Sequence, residues 1–142
     1  MNTTNKPTTL FWIIGVLALL WNIMGVSAYL GQAYMTDEIL TNLTDAEQNY
    51  HNNLPAWVTS AFAIAAFAGA FACIAFLFKK KWATLLFQIS LLGVLVQFVY
   101  NFFIQKYVEL TGDKMIMPFI VILISIFLVW YSKKSESNGY LS

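Results

Sequence analysis

Four stretches of the chain, residues 10–35, 55–78, 82–105 and 115–131, run almost wholly apolar and without a charged side chain. A helix rises 1.5 Å per residue, so a hydrocarbon core about 30 Å thick needs roughly 20 such residues. The fourth stretch is the shortest, and its ends carry anchors: Lys114 before it, then Trp130, Tyr131, Lys133 and Lys134. The pattern predicts an all-α fold, an integral membrane four-helix bundle formed by residues 1–142 as a single membrane domain.

Periodicity within the spans assigns faces. In the first, Gly15, Ala18, Asn22, Gly25, Tyr29 and Gln32 follow at steps of three and four, the spacing of one helical seam. Off the seam stand Ile13, Ile14, Leu17, Leu20, Ile23 and Met24, which suit lipid. The third span repeats the pattern with Ser90, Gly93, Gln97 and Tyr100, and adds Asn101 one turn beyond Gln97. Gln88 lies on the opposite side and has no role in this pattern. In the second span, ten of the fifteen residues from Ala61 to Ala75 are Ala, Gly or Cys. Small residues let helix backbones approach where lipid removes the hydrophobic drive. Ala61, Ala65, Gly69 and Cys73 form a helix-packing ladder, either the centre of the bundle or its contact with a second copy.

The composition agrees, at 59% hydrophobic residues and a mean hydropathy of +0.65. A net charge of +1 excludes nucleic acid as a partner, since phosphate binding needs a concentrated basic surface. The eight lysines, with no arginine, sort by side. Lys6, Lys79, Lys80, Lys81, Lys133 and Lys134 fall at one face, and Lys106 and Lys114 at the other. The positive-inside rule then puts both termini in the cytoplasm and residues 36–54 outside. Asp37, Glu38, Asp45, Glu47, Glu109 and Asp113 lie outside and Glu136 alone inside, in agreement. A bias of this size opposes dual topology. The first span resembles a signal peptide at Val26-Ser27-Ala28, but it is longer than the 7–15 apolar residues typical of one and is read as a retained helix.

Connections differ in kind. Lys79 to Lys81 leave room only for a tight hairpin. In the outer loop Thr44-Asp45-Ala46-Glu47 is a capping box, which predicts a short extracytoplasmic helix between the first two spans. Pro55 falls at the first turn of the second span, Thr111-Gly112-Asp113 reads as a turn, and Pro118 opens or kinks the fourth helix. Residues 135–142 read as a mobile tail.

Candidate chemistry is sparse. Asn22, Tyr29, Gln32, Gln97, Tyr100 and Asn101 are either a ligand-binding pocket in the outer half, suited to a neutral hydrogen-bonding solute, or interhelical glue. His51 shares a helix face with Glu47 but has no third ligand nearby in sequence, so no metal site and no cofactor is expected. Cys73 reads as a small packing residue. Trp12, Trp57, Trp82 and Trp130 are interfacial anchors, while Trp21 sits mid-span beside Asn22. No Asp, Glu, Lys, Arg or His lies inside a span, and no phosphate loop, paired zinc motif or nucleophile elbow occurs, so no enzyme is expected.

The run Phe11-Trp12-Ile13-Ile14-Gly15-Val16-Leu17-Ala18-Leu19-Leu20-Trp21-Asn22 is followed by Ala28-Tyr29-Leu30-Gly31-Gln32-Ala33-Tyr34-Met35. With Lys80-Lys81-Trp82-Ala83-Thr84 and Trp130-Tyr131-Ser132-Lys133-Lys134, it resembles a family of short bacterial four-span inner-membrane proteins. Members commonly carry the label sugar transporter, so the resemblance implies the bacterial inner membrane and transport of a sugar-like solute. Three function classes follow: a carrier working as a parallel homo-oligomer, an accessory subunit packed on a larger membrane protein, or a binder of a lipid or other amphiphile.

Overall fold

The structure is a computed structural model that describes residues 6–105 and 113–142. Four of its helices are long and apolar enough to cross a membrane, and the described residues contain no strand. The chain is an all-α membrane bundle.

The first four helices begin where the sequence supplies a cap or releases a donor. The Thr8 hydroxyl accepts the Phe11 N–H at 3.3 Å and starts α1, Thr9–Ala33. Thr36 caps α2, Asp37–Thr41, and Thr44 caps α3, Asp45–Asn52, by accepting the Glu47 N–H at 3.2 Å. The capping box thus does start a helix. Asp45 and Glu47 occupy its first turn, where the helix dipole favours acids. Pro55 at φ −65° precedes α4, Ala56–Leu77, and costs it no hydrogen bond. α5, Trp82–Val99, continues into a single π-helical turn over Tyr100–Ile104, closed by the Gln105 N–H on the Tyr100 carbonyl at 2.9 Å. α6, Asp113–Ser137, holds Pro118 inside its second turn. The turn expected at Thr111-Gly112 lies outside the described residues, as do Lys106 and Glu109.

The two middle helices form the spine. α4 packs most extensively on α5, α1 lies against α4, and α6 lies against α5. The Ala-rich face of α4 is the cause, since Ala61, Ala65, Gly69 and Cys73 are all buried within the chain itself. A Cβ built on Gly93 of α5 would lie 2.8 Å from the Ala61 carbonyl oxygen, so only glycine permits this approach. The Ser90 hydroxyl donates to the Ala65 carbonyl at 2.7 Å across the same seam. The larger residues of α4, Ile64, Phe67, Phe71 and Ile74, form the stripe that faces outward.

At the lysine-rich end the bundle is filled. Phe11 is 0% exposed and stacks on Phe76 at 4.2 Å, and Phe76 meets Phe87 and Tyr131 edge-on or tilted. Between Gly15 and Ala18 of α1 and Leu128 and Tyr131 of α6 no space for a water molecule remains. A buried contact between the Thr84 and Ser132 hydroxyls, 2.7 Å, ties α5 to α6 there.

The last residues correct an expectation. Instead of a mobile tail, residues 135–142 complete α6 and fold back. Gly139, at φ 81°, lets the Tyr140 N–H reach the Ser135 carbonyl at 2.8 Å, a helix-ending motif that needs the left-handed conformation. Leu141 is then 1% exposed, and Tyr140 meets Phe11 edge-on. Ser142 donates to the Lys79 carbonyl at 2.8 Å and accepts the Lys81 N–H at 3.1 Å. Two apolar side chains in a polar octapeptide are enough to dock it.

Candidate functional site: a lateral cleft in the loop half

Toward the end that carries α2 and α3, α1 and α6 part. α1 supplies Trp21, Met24, Gly25 and Ala28 to one wall of the resulting cleft, and α6 supplies Met117, Pro118, Val121 and Ile122 to the other. The floor comes from Phe62, Ala65 and Ala66 of α4 and from Val94, Gln97, Phe98 and Asn101 at the end of α5. The volume is about 500 Å³, within the range of small-molecule sites. Small residues facing small residues make the void: nothing lies within 4 Å of a Cβ built on Gly25.

Of the fifteen described residues that line it, thirteen are apolar or glycine and the other two are carboxamides. Gln97 and Asn101 stand four residues apart at the end of α5, one turn from each other. Asn101 is engaged on one side only. Its Oδ1 accepts the Tyr50 hydroxyl of α3 at 2.6 Å, and its backbone oxygen accepts Gln105 Nε2 at 2.9 Å. Among the described residues the Gln97 carboxamide has no hydrogen-bond partner. An unpaired polar group away from water costs about 1–3 kcal/mol, so this amide needs water or a ligand group.

The other residues grouped with them by sequence lie elsewhere. Asn22 turns to α4, where Nδ2 donates to the Ala18 carbonyl at 2.8 Å and to Cys73 Sγ at 3.3 Å, with Oδ1 against Gly69. Tyr29 packs edge-on against Phe62 and Phe67. Tyr100 is 3% exposed and lies beneath α3, 5.7 Å from the Trp57 ring and 6.1 Å from Tyr50. Gln32 is half-buried near the loop end of α1. Two of the six thus meet on the cleft, and Asn22 and Tyr29 are held in packing contacts.

The π-helical turn explains part of this arrangement. One extra residue in the turn lets Tyr100 and Gln105, five apart, both face inward, and such insertions often occur at functional sites. The apolar wall was not anticipated. The signal available was small-on-small pairing, Gly25 and Ala28 against Ala65 and Ala66, next to a tryptophan placed away from the interfaces.

Among the described residues, Tyr50 is the titratable group near the cleft with a clear shift. Burial pushes its phenol up to about 12, and Tyr100 adds to the effect. His51 stacks edge-on with Tyr50, and no group of three or more metal-ligating side chains occurs among the described residues.

The fold and cleft define a class: a small four-span membrane protein with a laterally open apolar site. Comparison with known protein families, curated proteins and solved structures finds no match for the chain.

Proposed function

We propose that this protein binds a neutral amphiphile, whose apolar chain enters the cleft sideways between α1 and α6 and whose polar group meets Gln97. The observation that carries this reading is the unpartnered Gln97 carboxamide in a cleft of about 500 Å³ whose other described lining residues are apolar or glycine, Asn101 aside. Lipid is the solvent at that opening, so a chain already in the bilayer reaches the site without crossing water. The lysine distribution supports an outer-half position for the cleft, and the family resemblance supports a bacterial inner membrane.

The resemblance also favours a sugar-like solute. Lining chemistry argues the other way, because each sugar hydroxyl left unpaired costs about 1–3 kcal/mol and the wall offers two carboxamides. A role as an accessory subunit would use the small-residue face of α4, which is spent within the chain.

Binding of a fluorescent acyl ester to purified protein in nanodiscs tests the proposal. Gly25→Leu fills the cleft where the built Cβ meets nothing, so saturable binding should disappear while the helical signal and Tm stay unchanged. Equal binding by both proteins would remove the cleft as the site. Uptake of a neutral sugar into liposomes, with no ester binding, would restore the transport reading.

A further inference from the structure

We infer that Tyr50 is a positioning residue that makes the cleft a hydrogen-bond donor site at Asn101, so that among neutral amphiphiles it selects those carrying an acyl ester carbonyl. The inference rests on the amphiphile reading and deepens it by naming the ligand's polar group.

A carboxamide has one accepting and one donating end, and a free one rotates to suit either kind of ligand. Asn101 is not free. The Tyr50 O–H donates to Oδ1 at 2.6 Å, short for such a bond, and this leaves Nδ2 as the end available to the cleft that Asn101 lines. Tyr50 is held in place, with its ring against Tyr100 and His51. Its raised pKa keeps the phenol protonated, and so donating, at any physiological pH. One turn away Gln97 has both ends open and accommodates a hydroxyl or an ester alike. The selective group is therefore Asn101, and an N–H donor discriminates for a carbonyl oxygen, a far better acceptor than an ether oxygen. Among the described residues no lysine lines the cleft, and none of those that do calls for a phosphate.

The experiment compares a monoacylglycerol with its 1-O-alkyl ether analogue of the same chain length, each titrated into the full chain in nanodiscs. Wild type should prefer the ester about fivefold, the worth of one net hydrogen bond. Asn101→Leu should bring the ratio to about one. Tyr50→Phe keeps the ring but frees the Asn101 amide, and should reduce the ratio to about two while the ether's affinity stays unchanged. A second measurement does not depend on the variants folding: the ester carbonyl stretch should move to lower frequency on binding to wild type. Equal affinity for ester and ether, or an unmoved carbonyl stretch, would overturn the inference while leaving the amphiphile reading intact if Gly25→Leu still abolishes binding. Binding of neither compound would overturn both.

Discussion

α4 and α5 touch from Phe76 and Phe87 at one end, through Ala65 with Ser90 and Ala61 with Gly93, to Trp57 and Tyr100 at the other. α1 and α6, which flank them, approach only at the lysine-rich end. Residue size separates the two pairs. The middle helices put small residues against a glycine or a serine, so the backbones close on each other. The flanking helices put Gly25 and Ala28 across from α6 side chains that do not reach them. In water the hydrophobic effect would press such a gap shut, but in lipid it does not, because a lipid chain fills the gap as well as a leucine would. Helices in a membrane close only where their shapes fit, and the cleft is a place where they do not.

Two glycines give the sharpest way to break this contrast. At Gly93 even a methyl group meets backbone atoms of Ala61 and Ala65 at 2.8–3.0 Å, and backbone has no rotamer to yield with. Gly93→Ala should cost about 3 kcal/mol, the upper part of the usual overpacking range. Gly25→Leu, a much larger change, should stay within about 0.5 kcal/mol. Unfolding in mixed detergent and SDS measures both. Similar costs at the two sites would mean that α1 and α6 are closed in solution.

The closed end of the flanking pair is the next target. Phe11 joins α1 to the stacked ring of Phe76 and to Tyr140 beyond α6. Phe→Ala in a water-soluble core costs about 3–5 kcal/mol, and lipid removes the transfer part of that figure, so Phe11→Ala should cost about 2 kcal/mol here. The same variant should loosen residues 139–142, read as faster amide exchange of Leu141.

Much of the bundle was legible in the sequence, and the reasons are local. The four spans follow from run length alone, and the observed ends differ from the expected ones by one or two residues in the first three. α6 runs on past the expected Tyr131 to Ser137, and Gly139 supplies the left-handed turn that ends it. The α1 seam faces protein as its periodicity implies, with Gly15 and Ala18 buried. What each seam residue meets depends on helix rotation, which is why Asn22 goes to Cys73 and Gly69 while Gln97 stays on the cleft. The docked end of the chain was hidden for the same reason: Tyr140 and Leu141 gain their meaning only once Phe11 and the Lys79 turn stand beside them.

That turn allows a stabilising test. Lys79 is the only non-glycine residue at positive φ among those described, at φ 60°, and it ends α4 by letting the Lys80 N–H reach the Ala75 carbonyl at 2.9 Å. A side chain in the left-handed region costs about 1–2 kcal/mol, partly offset by the extra freedom glycine brings to the unfolded chain. Lys79→Gly should therefore stabilise the middle pair by about 0.5–1 kcal/mol, and the Lys79 carbonyl stays available to Ser142. A destabilised variant would show that the lysine side chain itself holds the turn.

The smallest effect lies at the open end, where Tyr50 of α3 ties its loop to the cleft floor. Folding raises its pKa from the ordinary 10.0 to about 12, so the folded state favours the protonated phenol. Its contribution is fully present below pH 10 and is lost as pH climbs through about 12. Absorbance of phenolate during an alkaline titration should show one more late-titrating tyrosine in wild type than in Tyr50→Phe. Between pH 7 and 9 the two proteins should differ in stability only by the worth of one hydrogen bond, about 0.5–1.5 kcal/mol. A Tyr50 that titrates near 10 would mean that α3 lifts off Asn101 in solution, and the cleft floor would then lose this hydrogen bond to the loop.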